Sequence, residues 1–194
     1  AKSILAAFLI LTIGLSPEAY PFLPRHLTLA SALTVGIPAF ILALSPSDGP
    51  WRSRHFIREV TRFGVPAGVA TGLGVVSAFL IAKNVLGTDL TEARTVATMA
   101  LVMIGLYLVL LLEGSAASPR RTNWTLALVG VLMLLFVVVL TLASWRAFFD
   151  LRITSVLSVV AAVSGTLLAV AGMWATDARF APPFPALRRL AQRI

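Results

Sequence analysis

The sequence predicts an all-α protein, a polytopic membrane bundle of about six transmembrane helices, and three observations carry that prediction. Of 194 residues, 58% are hydrophobic and only 12% charged, where an ordinary soluble domain carries roughly 25% charged residues. The mean hydropathy is +0.92. The apolar residues come in runs of the length that a hydrocarbon layer of ~30 Å demands of a helix, and the charged residues stand between those runs. A water-soluble globular fold is thereby excluded. So is a reading of the +8 net charge as a nucleic-acid surface, which needs a basic stripe on a soluble face. Charges placed between spans set topology and meet anionic lipid, so the expected surroundings are a lipid bilayer. The absence of cysteine excludes thiol chemistry and disulfides.

Each element follows from the pattern of runs and breakers. The first span falls on 1–15, but so short a run rises only about 22 Å as a helix. It reads as the second half of a span. The chain opens Ala1-Lys2-Ser3 with no Met, and Lys2 is too thin a basic region for a signal peptide, so the expectation is a segment of something longer. Pro17, Pro21 and Pro24 then close a turn holding Glu18, Arg25 and His26, because prolines remove helix donors. The second span covers 27–45, and a polar loop over 46–62 carries Arg52, Arg54, His55, Arg58 and Glu59. Within that loop Phe56, Ile57 and Val60 share one side, as in a helix lying on a bilayer surface. Further spans follow over 63–82, 95–112, 124–143 and 153–175, making 1–175 the bundle. Residues 176–194 form a basic tail, with Pro182, Pro183 and Pro185 ahead of Leu187-Arg188-Arg189-Leu190.

Lys and Arg in alternate loops give the orientation. Arg52, Arg54, Arg58, Arg62, Arg120, Arg121, Arg179, Arg188, Arg189 and Arg193 fall on one side, against Arg25, Lys83, Arg94, Arg146 and Arg152 on the other. The positive-inside bias assigns the richer set to the cytoplasm. Both ends of a six-span chain are then cytoplasmic, in a multi-pass protein of the plasma (inner) membrane. Tyr20, Trp124, Trp145 and Trp174 fall near span ends, where interfacial aromatics belong.

No active site of the soluble kind is legible. His26 and His55 lie in loops on opposite sides of the membrane and cannot share a metal, and both read as solvated or interfacial. Neither a His-x-x-x-His pair nor a Gly-rich phosphate loop followed by Lys occurs. The second span is the informative one. It reads Ser31-Ala32-Leu33-Thr34-Val35-Gly36-Ile37-Pro38-Ala39, and Gly-x-Pro within a spanning helix frees carbonyls that neighbours, hydroxyls or a lined cavity must satisfy. Helices broken near the midplane are where transporters hold cations. Ser31 and Thr34, three apart, share a face and offer hydroxyl oxygens there. The competing reading is a plain proline kink in which Ser and Thr bond back to their own helix, and the span lacks the carboxylate that a hard divalent cation favours.

The third span carries Gly64, Gly68 and Gly72 at fourfold spacing, with Gly74 beyond them, so a bare ridge lets a partner backbone approach closely. That is a packing device. Met99, Met103 and Tyr107, at i, i+4 and i+8, form a core-facing seam of the fourth span. The last two spans hold no ionisable residue and read as scaffold.

Taken in order, these features resemble the fifth to tenth membrane helices of bacterial P-type cation-transporting ATPases. Leu33-Thr34-Val35-Gly36-Ile37-Pro38-Ala39-Phe40 is similar to their sixth helix, commonly Thr-Asp-Gly-Leu-Pro-Ala. Ala93-Arg94-Thr95-Val96-Ala97 is similar to the start of the eighth, the ridge at Gly64, Gly68 and Gly72 to the Gly-rich seventh, and Phe148-Phe149-x-Leu151 to the link from ninth to tenth. The nearest group is the E type, associated with calcium uptake.

The resemblance implies a segment of an ATP-driven pump, with calcium or another divalent cation as cargo and with Mg2+ and ATP bound by the parent protein rather than by this segment. It implies as partners the N-terminal membrane helices and cytoplasmic ATPase domains of the same protein. It also implies an ion pathway along Ser31, Thr34, Gly36 and Pro38, with Ser3 from the fifth helix. Where calcium pumps place an Asn, a Thr and an Asp, this chain has Ser31, Thr34 and Val35, so only the Thr is kept. Gly105 stands where a two-calcium pump has a Glu. The Pro-Glu-Gly-Leu gate and the phosphorylated Asp of Asp-Lys-Thr-Gly are outside the chain, so catalysis by this segment alone is not expected. The other class of function is a self-contained six-helix membrane protein, an assembly factor or passive carrier, whose Gly-x-Pro is only a kink.

Overall fold

The computed structural model describes residues 20–44, 56–114, 119–176 and 180. The expected first span, Ser3, the 46–55 part of the polar loop and the tail beyond Phe180 lie outside the described residues. Within them every regular element is helical: α1 (Pro24–Ser31), a π-helical turn (Ala32–Gly36), α2 (Ile37–Ala43), α3 (Phe56–Leu80), a second π turn (Ile81–Val85), α4 (Leu90–Gly114), α5 (Pro119–Thr141), α6 (Ala143–Phe149) and α7 (Val156–Thr176). Four stretches, Thr61–Val85, Leu90–Leu112, Asn123–Thr141 and Val156–Thr176, are long and apolar enough to cross a membrane. An all-α polytopic bundle is therefore what the chain forms.

The bundle is organised around α4, whose Val96, Ala97, Ala100, Val102 and Ile104 have no exposed surface. Against it pack α1 with its π turn, α3, α5 and α7. On α5, Leu128, Leu132, Phe136 and Val139 repeat at helical spacing and are buried, while Val131, Leu134, Val137 and Val138 face outward. In a bilayer that outward face meets lipid tails, which are as apolar as the side chains themselves.

Breakers and caps set the ends. The second π turn closes α3 as Leu86 donates to the Ile81 carbonyl (3.0 Å), and Gly87 (φ 64°) turns the chain. Asp89 then caps α4, its Oδ1 accepting the Glu92 N–H at 2.8 Å. Between α6 and α7, Asp150 takes a left-handed conformation (φ 54°), tolerable for Asp because its short polar side chain bonds locally. The turn is locked by Leu151 donating to the Arg146 carbonyl at 2.9 Å.

Helix α3 starts at Phe56, inside the stretch expected as loop. Arg58, Glu59 and Arg62 are good helix formers, and a spanning helix has no reason to stop where the hydrocarbon does.

Candidate functional site

The second span is an interrupted helix. From Ala32 to Gly36 the chain runs as a π turn in which the Ile37 N–H donates to the Ala32 carbonyl, five residues back. Pro38 follows at once and has no N–H, so it serves neither Leu33 in that register nor Thr34 in the ordinary one. A π turn flanked by proline loosens the backbone at one level of the bundle.

The side chains at this level divide in two. Leu33 and Pro38 are buried, Ser31 and Thr34 half-buried, and Ala32, Val35, Gly36, Ala39 and Phe40 exposed. Thr34 Oγ1 donates to the Ala30 carbonyl at 2.7 Å, the back-bonding expected of a plain kink. That bond uses the hydroxyl proton and leaves the oxygen lone pairs, which are what a cation takes. The Thr34 side chain also seats in a notch at Gly105 of α4: a Cβ placed there would lie 2.5 Å from Thr34 Cγ2 and 2.8 Å from its Cβ. The π turn and α4 are therefore interlocked at Thr34, and the opposite flank, Val35 and Gly36, is open. The structure thus puts Ser31, Thr34, Gly36 and Pro38 on a single interrupted element.

Of the expected packing glycines, Gly68 and Gly72 are buried and Gly64 half-buried. Backbone approach between described helices occurs at Gly74, whose added Cβ would collide with the Gly165 carbonyl of α7 and come within 2.6 Å of Ala169 Cβ. At Gly165 a Cβ would strike the Gly74 carbonyl and lie 2.6 Å from Ala78 Cβ. Gly74 and Gly165 are the crossing point of α3 and α7. Met99 is buried, Met103 Sδ lies 3.7 Å from Thr166 Oγ1, and Tyr107 accepts from Trp174 Nε1 at 2.7 Å. The seam on α4 thus faces α7. Tyr107 also donates to the carbonyl of Phe180, and the buried Phe180 ring packs 4.9 Å from that of Phe63.

At the end of the bundle where α1, α4 and α7 begin, a polar cluster joins segments far apart in sequence. Glu92 is 3% exposed and its carboxylate accepts from the Thr154 N–H (3.0 Å), the Thr154 hydroxyl (2.5 Å) and the Ser158 hydroxyl (2.6 Å). It caps the start of α7, where unpaired N–H groups favour negative charge. Thr95 accepts the Arg152 N–H at 2.9 Å, and Arg152 pairs with Asp89 at 3.0 Å. Arg94 Nε donates to the Tyr20 carbonyl at 3.1 Å, and Arg25 pairs with Asp150 at 3.0 Å.

His26 is a correction to the sequence reading. It is not solvated but fully buried, with Nε2 2.9 Å from the Phe149 carbonyl, while His55 lies outside the described residues. Its partner is 123 residues away, and no local signal reveals it. For Glu92 a signal did exist, in the Asp89-x-x-Glu92 spacing of a capping pattern. Among the described residues no three His, Cys, Asp or Glu side chains gather as a metal group.

No family model matches this chain, and no solved structure does. It is 28% identical over 174 residues to the calcium-transporting ATPase CtpE of Mycolicibacterium smegmatis, covering 86% of this chain and 21% of that protein. It is 29% identical over 191 residues to the CtpE proteins of Mycobacterium bovis and Mycobacterium tuberculosis, covering 89% of this chain and 23% of each. The chain spans between a fifth and a quarter of the length of these relatives. The resemblance to bacterial cation-transporting ATPases thus holds over nearly the whole chain, as the likeness of a multi-pass membrane segment to one part of a larger ATPase.

Proposed function

We propose that this chain supplies the fifth to tenth membrane helices of an ATP-driven cation pump of the P type, and that its interrupted helix lines the path of the ion. The observation that carries the reading is the π turn followed by Pro38, with Thr34 within the turn and an open flank at Val35 and Gly36. Likeness to calcium-transporting ATPases supports calcium, or another divalent cation, as the cargo.

The division of labour follows from the packing. Helices α3, α4 and α7 are locked by small-residue contacts and by the polar cluster, and so act as a fixed frame. Thr34 turns its hydroxyl proton to the Ala30 carbonyl, which aims its lone pairs elsewhere, the state a hydroxyl needs in order to ligate a cation. Loosened carbonyls after Ala32 add neutral oxygens, and the carboxylates of the site come from helices outside this chain. Its residues offer no phosphate loop, so ATP and Mg2+ are assigned to other domains of the parent protein. Those domains and the preceding membrane helices are the partners, and the open flank of the π turn is where a neighbouring helix would complete the path. The Lys and Arg distribution supports a cytoplasmic position for both ends of the segment at the plasma membrane.

The test is ion-stimulated ATP hydrolysis by the intact protein carrying Thr34→Val or Pro38→Ala. Valine keeps the shape that fills the Gly105 notch and removes the oxygen, so the apparent ion affinity falls about tenfold, the scale of one hydrogen bond or ligand to a charged group. Proline replacement restores a donor to the helix and lowers ion-stimulated turnover. Unchanged ion dependence in both variants would remove the assignment.

A further inference from the structure

One imidazole fastens the segment that leads into the interrupted helix. His26 lies in the first turn of α1, ahead of the span, and is fully buried. Its Nδ1 stands 3.3 Å from the Leu23 nitrogen, and its Nε2 stands 2.9 Å from the Phe149 carbonyl oxygen. A backbone N–H only donates and a carbonyl only accepts, so the two contacts together admit a single form of the ring, neutral with its proton on Nε2. The first contact satisfies an N-terminal donor of α1, whose cap residue Leu23 has no polar side chain for the task. The second pins α1 to the end of α6. A further proton could enter only at Nδ1, where it would face the Leu23 N–H.

We propose that His26 is a proton-operated latch: neutral, it closes the first turn of α1 by accepting the Leu23 N–H while its Nε2–H holds the Phe149 carbonyl, and protonated, it keeps Phe149 but releases Leu23 and loosens the start of the helix that runs into the π turn.

The surrounding charges leave this to the ring itself. From its own helix Arg25 opposes a charged imidazole, and from the link Asp150 favours one, but the two are paired at 3.0 Å. Arg146 stands on α6 and, from α4, Arg94 donates to the Tyr20 carbonyl. Asp89 and Arg152 are engaged with each other, and Glu92 with Thr154 and Ser158. Burial is the largest influence and holds the His26 pKa below the usual 6.5. A depressed histidine pKa means that the released chain takes the proton first. The latch is therefore fully effective above about pH 6.5 and weakens as pH falls from there through the lower value of the fastened state.

Because α1 runs directly into the π turn, release alters the restraint on the segment assigned to the ion path. That consequence rests on the proposed function; the latch does not. In lipid nanodiscs, the intact protein labelled with 15N-histidine reports on His26 through the resonance that His26→Asn removes. The expected spectrum shows the Nε2–H neutral tautomer at pH 7.5 and a titration midpoint below 6.5. Spin labels at Thr28→Cys and Val156→Cys, in a background free of other reactive cysteines, should hold one distance above pH 6.5 and a broader distribution in acid. His26→Asn offers Leu23 an acceptor that does not titrate, and it should abolish that acid change. A midpoint at or above 6.5, the opposite tautomer, or an acid change undiminished in His26→Asn would overturn the latch. If the Asn variant does not fold, tautomer and midpoint decide alone. Neither readout uses an ion or ATP, so failure of the latch and failure of the pump reading are separable.

Discussion

Thr34 answers to two constraints at once: its methyl fills the notch at Gly105, and its hydroxyl is back-bonded to Ala30. A Cβ at Gly105 would lie 2.5 Å from Thr34 Cγ2 and 2.8 Å from Thr34 Cβ. Gly105→Ala should therefore push the π turn off α4 and cost about 1–3 kcal/mol, the usual penalty for overpacking. Adding Thr34→Ala removes the nearer of these contacts and should recover part of the loss. Thermal unfolding of the two single variants and the double variant measures the coupling, and strictly additive losses would show that the notch is not shared. Glu92 makes a different kind of demand. All three of its partners donate to it, so Glu92→Gln leaves a buried N–H2 facing donors and should destabilise by about 1–3 kcal/mol, read in the same unfolding assay.

At the scale of elements, the contact that sets the frame is the crossing of α3 and α7. Gly74 and Gly165 each face the other's carbonyl with no room for a Cβ, so Gly74→Leu should separate the helices and sharply lower the yield of folded protein. Gly130 on α5 has nothing within 4 Å of a Cβ, and Gly130→Ala should be neutral or slightly stabilising, since alanine is the better helix former. Size-exclusion profiles after mild heating in detergent distinguish the two outcomes.

The bundle and its membrane character were legible in the sequence because hydropathy is a sum over many residues and survives local detail. The crossing was less so. The residues Gly64, Gly68 and Gly72 announce one bare ridge, and Gly74 beside Thr71 and Ala78 makes a second on the same helix; spacing alone does not say which one α7 meets. The Gly-x-Pro at Gly36 and Pro38 announced a break, but whether it becomes a simple kink or a π turn is settled by how α1 and α4 pack around it. His26 was not legible at all, since its hydrogen-bond partners, the backbone at Phe149 and Asp150, come from the far end of the chain.

Over the whole molecule, one end is stitched by polar groups and the other half of the interrupted helix, α2, has an exposed face at Ala39, Phe40 and Ala43. The stitched end gathers Arg25–Asp150, Asp89–Arg152 and the Glu92 hydroxyl cage. The exposed ion pairs contribute little each; the buried carboxylate, with every bond satisfied, supplies the specificity. Such an arrangement suits a bundle in which a frame stays still while the segment beyond the π turn changes its neighbours. The most direct measurement is ion-dependent phosphoenzyme formation by the intact protein, wild type against Thr34→Val, across a calcium titration. The account predicts a phosphoenzyme that requires the cation, with the Thr34→Val titration displaced to higher calcium by about tenfold. A phosphoenzyme indifferent to divalent cations, or titrations of the two proteins that coincide, would contradict it.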